Sequence, residues 1–184
     1  MPGSGRTNDA RAGRAKEASR RKVHSIRLLI LDVDGVLTDG RLYYGARGEL
    51  LKAFHVRDGH GIKALRAAGI EVAVLSGRRS PAVRRRCREL GIRHVIQGAD
   101  DKLAAFERLA RTLGVEPREC ACIGDDVPDL PLMRAVGLAC AVADAHAAAR
   151  RAAHYITALQ GGCGAVREVC DLLAQTAGHR EREP

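Results

Sequence analysis

Ile26-Arg27-Leu28-Leu29-Ile30-Leu31-Asp32-Val33-Asp34-Gly35 decides the fold. A short apolar run, Ile26–Leu31, ends abruptly in Asp32. Such a run without alternation reads as a strand buried on both faces. Ile70–Leu75, His94–Ile96 and Cys120–Ile123 repeat the pattern, and Leu138–Val142 and Tyr155–Ile156 read as further short strands. Between them lie helical faces. Ile62, Leu65 and Ala68 share one, closed by Gly69. Ser80 and Pro81 open the next as N-cap and first helical residue. That helix sets Val83, Cys87 and Leu90 opposite Arg84, Arg85 and Arg88. Leu103, Phe106, Ala110 and Leu113 form a third stripe, and Val166, Val169, Cys170 and Leu173 a fourth. Arg41–Tyr44 and Leu50–Val56 flank Gly45-Ala46-Arg47-Gly48, which predicts a β-hairpin flap over 41–56 after the first strand. Alternating strands and helices predict an α/β fold, a Rossmann-like parallel sheet with helices on both faces.

Ligands of such sheets bind beyond the carboxyl ends of the strands. Asp32 and Asp34 follow the first strand, Ser76 the second, and Asp125 and Asp126 follow the Cys120–Ile123 strand, while Lys102 opens the helix after His94–Ile96. Carboxylates gathered at one edge repel unless a cation lies among them, and oxygen ligands on loops suit magnesium. Ser76, the amides of Gly77 and Arg78, and Lys102 supply a hydroxyl, N–H donors and an ammonium, the needs of a phosphate dianion. One carboxylate can then attack phosphorus, and another, two residues on, can protonate the leaving oxygen and activate water. Other phosphate folds fail. There is no G-x-x-x-x-G-K-[ST], and Gly59-His60-Gly61 lacks the third glycine of a dinucleotide fingerprint. Gly161-Gly162-Cys163-Gly164 reads as a tight connection before the last helix rather than an anion site. A receiver domain would carry its nucleophile after the third strand, where this chain has Gln97-Gly98.

Asp32-Val33-Asp34-Gly35-Val36-Leu37-Thr38-Asp39-Gly40 resembles the first motif of haloacid-dehalogenase-superfamily phosphatases. Ser76, Lys102 and Gly124-Asp125-Asp126-x-x-Asp129 match the second, third and fourth in order. Phe54-His55-Val56-Arg57-Asp58-Gly59, Leu75-Ser76-Gly77-Arg78 and Gly161-Gly162-x-Gly164-Ala165-x-Arg167-Glu168 look like the cap-less 3-deoxy-D-manno-octulosonate 8-phosphate (KDO 8-phosphate) phosphatases. The resemblance covers about residues 26–175 and implies a magnesium-dependent phosphatase without a cap domain, acting in lipopolysaccharide precursor synthesis. It implies Asp32 as nucleophile and magnesium ligand and Asp34 as general acid/base, lending its backbone carbonyl to the metal. Asp125 becomes the third ligand, with Asp126 and Asp129 orienting waters and Lys102. Ser76, Gly77 and Lys102 hold the phosphate, with Thr38 also on the substrate side. Arg78, and with it Arg57, suits the carboxylate of an eight-carbon sugar acid, because a guanidinium grips a carboxylate bidentately. The alternative substrate is a nine-carbon, sialic-type acid phosphate. The resemblance also implies a homotetramer whose hairpins help close neighbouring sites.

Of the 184 residues 46% are hydrophobic and 29% charged, a globular balance. Aromatics are 3%, with no Trp, which argues against an aromatic platform for single-stranded nucleic acid. Residues 1–25 hold seven basic side chains against Asp9 and Glu17, so +5 of the net +9 lies there. That stretch reads as a disordered basic extension and departs from the family pattern, as does the short charged tail, 176–184, expected to fray. A basic nucleic-acid-binding module is the remote alternative; no specific nucleic acid is expected. No apolar run approaches the roughly 20 residues that span a bilayer, and no hydrophobic leader is evident, so the expected location is the cytoplasm. The six cysteines form no metal pattern and read as buried apolar residues. Among the remaining polar groups, Asp39 reads as starting a turn, and Asp58 as capping the helix that begins near Gly59. Asp100, Asp101 and Asp144 read as helix N-terminal acids, and His55 and His60 as structural or substrate-lining.

Overall fold

The computed structural model describes residues 25–46 and 48–177. Most of the basic extension, 1–25, and of the frayed tail, 176–184, lies outside the described residues, while 176 and 177 still belong to the last helix. Six parallel strands form the main sheet: β1 (Leu28–Leu31), β4 (Glu71–Ser76), β5 (His94–Gln97), β6 (Cys120–Gly124), β7 (Leu138–Ala141) and β8 (Tyr155–Ile156). Their order is β5-β4-β1-β6-β7-β8. Every residue of β1, β6 and β7 is buried, as unbroken apolar strings require when both faces are covered. The helices are α1 (Val56–Ala67), α2 (Pro81–Glu89), α3 (Lys102–Leu113), α4 (Leu130–Ala135), α5 (Ala147–Ala152) and α6 (Ala165–Ala177). α1 packs on α6, while α3, α4 and α5 form a second group. Phe106, Ile62, Leu65 and Leu173 bring the predicted stripes into the core.

β1 lies between β4 and β6, with Leu31 in register with Val74 on one side and Ile123 on the other. The residues just past these positions, Asp32, Ser76 and Asp125, therefore share one edge although 93 residues separate the first from the last.

The flap is a separate two-stranded antiparallel ribbon, β2 (Tyr43–Gly45) and β3 (Gly48–Leu51), shorter than the expected 41–56. Local capping also differs from expectation. α1 starts at Val56 with His55 as its N-cap, the imidazole accepting from the Arg57 amide. Asp58 is buried and accepts from the Arg167 amide, so it caps the first turn of α6 rather than its own helix. The Ser80 hydroxyl makes no cap bond and donates to Glu49. Asp144 accepts from the Gly161 amide, and His146 caps α5. For Asp58, Ser80 and Asp144 a tertiary partner takes a side chain that local propensity assigns to the nearest helix end. Asp101 does cap α3 as expected, accepting from Ala104.

Candidate active site

The loop after β1 is held by its own side chains. The Thr38 hydroxyl donates to the Val33 carbonyl and accepts from the Gly35 and Gly40 amides. Thr38 is buried, and its oxygen is engaged in folding the loop. Gly35 has φ +88, and a Cβ there would overlap Oδ2 of Asp125 and come within 2.6 Å of its carboxyl carbon. Glycine is thus required both by the left-handed backbone and by the carboxylate pressed against it. Gly161 and Gly162 back the same loop, the Gly162 amide donating to the Val36 carbonyl at 2.9 Å. Their amides face protein, in keeping with a tight connection.

Lys102 reaches from the first turn of α3 into this edge. Its Nζ lies 2.9 Å from Asp32 Oδ1 and 2.6 Å from Asp129 Oδ1. The second oxygen of Asp129 accepts from the Asp125 amide at 3.0 Å and the Asp126 amide at 3.2 Å. Asp129 therefore fixes both the lysine and the loop that carries Asp125. Gly124 allows this, because a Cβ there would sit 2.6 Å from that of Asp129. Asp32, Asp125 and Asp129 each offer an oxygen within 4.8 Å of the others.

Burial works against the Lys102 ammonium, but the charges of Asp32 and Asp129 outweigh it and raise its pKa. Burial, opposed by Lys102 and reinforced by Asp129, lifts Asp32 to about 6. Burial first, then repulsion from Asp32, Asp129 and Asp126, pushes Asp125 up to about 8. One ammonium does not balance this cluster. A group of hard oxygen donors short of positive charge fits a divalent cation of the magnesium type. Asp32 and Asp125 are the carboxylates suited to hold it, since both Asp129 oxygens already accept hydrogen bonds.

The cleft of about 290 Å3 is lined by these acids together with Ser76, Gly77, Arg78, Lys102 and Asp126. Ser76 is buried at the end of β4, and its Oγ accepts from the Arg78 amide at 3.3 Å. Asp126 caps a short 3-10 turn through the Val127 amide and stays more than half exposed at the cleft. Arg57 is exposed on the first turn of α1, outside the residues that line this cleft in one chain.

Sequence reading gave the hairpin a part in closing a neighbouring site and missed its contacts with the cleft of its own chain. Lys52, only 2% exposed, bonds through its ammonium to Asp34 Oδ1 and lies 3.3 Å from Glu49 Oε2. Glu49 also accepts from the Ser80 hydroxyl, and Arg78 donates to the Tyr44 hydroxyl at 2.9 Å and lies 3.7 Å from Asp34 Oδ2. Burial would raise Glu49, yet hydrogen bonds from Ser80 and Lys52 and the charges of Lys52 and Arg78 lower it. The flap is thereby latched over its own chain's cleft. No periodicity marks Lys52, which follows Leu50 and Leu51 like any strand-end cation.

Three comparisons bear on this site. Residues 58–137 match the family model described as haloacid dehalogenase-like hydrolase. The chain is 53% identical over 157 residues to 3-deoxy-D-manno-octulosonate 8-phosphate phosphatase KdsC of Escherichia coli strain K12, covering 85% of this chain and 84% of that one. It superposes on the crystal structure of the same-named phosphatase from Yersinia pestis with TM-score 0.85 and 49% identity, over 89% of both chains. The Moraxella catarrhalis phosphatase, solved with magnesium, phosphate and KDO, matches with TM-score 0.84 and 45% identity, over 89% of this chain and 94% of that one.

Proposed function

This chain belongs to the KDO 8-phosphate phosphatase family of haloacid dehalogenase-like hydrolases, and from that premise we propose how its own residues carry out the hydrolysis. The reaction is magnesium-dependent release of KDO and inorganic phosphate from KDO 8-phosphate, in lipopolysaccharide precursor synthesis. The Lys102 bridge between Asp32 and Asp129, set beside Ser76 and Asp125, carries the assignment of roles.

Lys102, the Ser76 hydroxyl and the Gly77 and Arg78 amides hold the phosphoryl oxygens. Asp32 attacks phosphorus with one carboxylate oxygen, and the bond from phosphorus to the sugar oxygen breaks as Asp34 gives that oxygen its proton. Asp34 then takes a proton from water as the water attacks the aspartyl phosphate. The bond between phosphorus and the Asp32 oxygen breaks, phosphate leaves and the carboxylate is restored. Asp129 keeps Lys102 on the Asp32 side throughout. Lys52 and Arg78 hold the Asp34 carboxylate in place between substrate and flap. Asp32, Asp125 and the backbone carbonyl of Asp34 would hold magnesium, which supplies positive charge against the phosphoryl oxygens.

Arg78 is the residue proposed to meet the sugar carboxylate, and the named relatives favour the eight-carbon acid over the nine-carbon alternative. The flap exposes Leu42, Tyr43, Leu50 and Leu51, which supports association of several copies into the proposed homotetramer. No helix among the described residues is long and apolar enough to cross a membrane, and a cytoplasmic site of action is proposed with the substrate.

Asp32→Asn tests the roles. Turnover should fall by at least about a thousandfold while the far-ultraviolet spectrum stays native. Magnesium-dependent phosphate release at the native rate by the asparagine variant would remove the mechanism.

A further inference from the structure

A second concavity lies outside the cleft, between α2 and the edge strand β5, with a volume of about 570 Å3. Arg79, Arg84, Arg88 and Arg93 line it over an apolar floor that includes Ile92 and Val95, and no acidic residue is among the lining groups.

The charges on α2 are unequally compensated. Arg85 and Arg86 meet Glu89 at 3.3 Å and 3.5 Å. Arg84 and Arg88, one turn apart, have no ion pair among the described residues, and both line the concavity. Like charges at this spacing oppose each other on a helix. An anionic occupant would relieve that repulsion. Arg93 reaches only a distant Glu71 oxygen, at 3.9 Å, and stays 74% exposed. Arg79 follows the phosphate-binding loop directly, yet it faces this concavity while Arg78 faces the cleft. The Arg79 guanidinium lies over Gly98, where a Cβ would come within 2.5 Å of Nε.

Length and chemistry narrow the occupant. β5 separates Arg93 at one end from Gln97 and Arg79 at the other, and four residues at roughly 3.3 Å each put the ends about 13 Å apart. Guanidinium groups spread along that length match two linked anionic groups better than one. Guanidinium groups bind phosphate oxygens in bidentate pairs, the apolar floor suits an uncharged flat group, and the volume is that of a small-molecule site. We propose that the groove between α2 and β5 binds a small molecule with two or more linked phosphates and an apolar moiety, of the nucleoside diphosphate class. This does not rest on the phosphatase reading, because none of these residues is placed in that chemistry.

Calorimetric titration of the full chain with magnesium, using α,β-methylene-ADP as a probe that resists cleavage, tests it. Saturable one-to-one binding is expected. Arg84→Ala with Arg88→Ala should weaken it at least about tenfold and leave turnover of KDO 8-phosphate within about twofold of native. Arg85→Ala with Arg111→Ala removes the same charge elsewhere and should change binding by less than about twofold. Absence of saturable binding overturns the proposal, as does equal weakening by the two double variants, which would mean diffuse attraction. Binding unaffected by Arg84→Ala with Arg88→Ala overturns it in favour of the catalytic cleft. Affinity for oligonucleotides that rises with their length overturns it in favour of a nucleic-acid surface.

Discussion

Asp125→Asn should stabilise the metal-free protein while destroying its activity. Folding lifts the Asp125 carboxyl from an ordinary 3.8 to about 8. The sign follows from linkage. A carboxyl that binds its proton more tightly when folded imposes no penalty below its unfolded value. The penalty grows as pH rises from about 4 and is complete once pH passes about 8. Four units at about 1.36 kcal/mol each would give roughly 6 kcal/mol in a sealed interior. Asp125 lines an open cleft and shares its protons with Asp32, so solvent screening leaves on the order of 1–2 kcal/mol. For a domain of this size that corresponds to a rise of about 2–8 °C in Tm. Calorimetry with a chelator at pH 4.5 and pH 8 checks it. The variant should melt close to native at the lower pH and higher at the upper. Magnesium should raise native Tm most at pH 8 and raise the variant's little, because ligand stabilisation requires the site that binds it. A metal-free Asp125→Asn protein that melts at or below native at pH 8 would refute the reading of this cluster as mutually repelling.

The other expectations are briefer. Lys102→Met leaves Asp32 and Asp129 buried without their cation, and a loss of about 3–5 kcal/mol in urea unfolding at pH 7.5 is expected, together with loss of turnover. Lys52→Met frees Asp34 and unlatches the flap; kcat should fall about ten- to a hundredfold with far less change in KM, and amide exchange in 43–51 should accelerate. Gly35→Ala sets a side chain against Asp125 at φ +88, and should cost about 1–2 kcal/mol of stability and abolish magnesium-dependent stabilisation in a thermal melt.

Strand identity was legible because parallel strands buried on both faces are written as unbroken apolar strings, and β1, β4, β6 and β8 begin or end within two residues of the runs that mark them. The acids were legible because they stand at the ends of those strings. Contacts that cross the chain left no local signal. Nothing near Asp58 announces an amide at Arg167, and nothing near Asp144 announces Gly161. Nothing in the motif that carries Thr38 announces that its oxygen meets the backbone of Val33, Gly35 and Gly40. Lys52 was hidden for the same reason, since its partner Asp34 is 18 positions away across a hairpin of few residues.

That lysine bears on how a phosphatase without a cap domain keeps water under control. In the proposed mechanism the main sheet supplies the nucleophile, the phosphate donors and the metal carboxylates, and the side of the cleft beside Asp34 is left to the flap. The flap closes that side through Lys52 on Asp34, Tyr44 on Arg78 and Glu49 on Ser80. Two of these contacts touch residues that also belong to the catalytic edge. Closing the lid and orienting the acid/base are therefore one event rather than two. An open flap would take Lys52 from Asp34 and leave it Arg78, whose Nε lies 3.7 Å from Oδ2. On the proposed mechanism, early hydrolysis is then limited by geometry, because Asp34 loses one of its two holding cations until the flap closes.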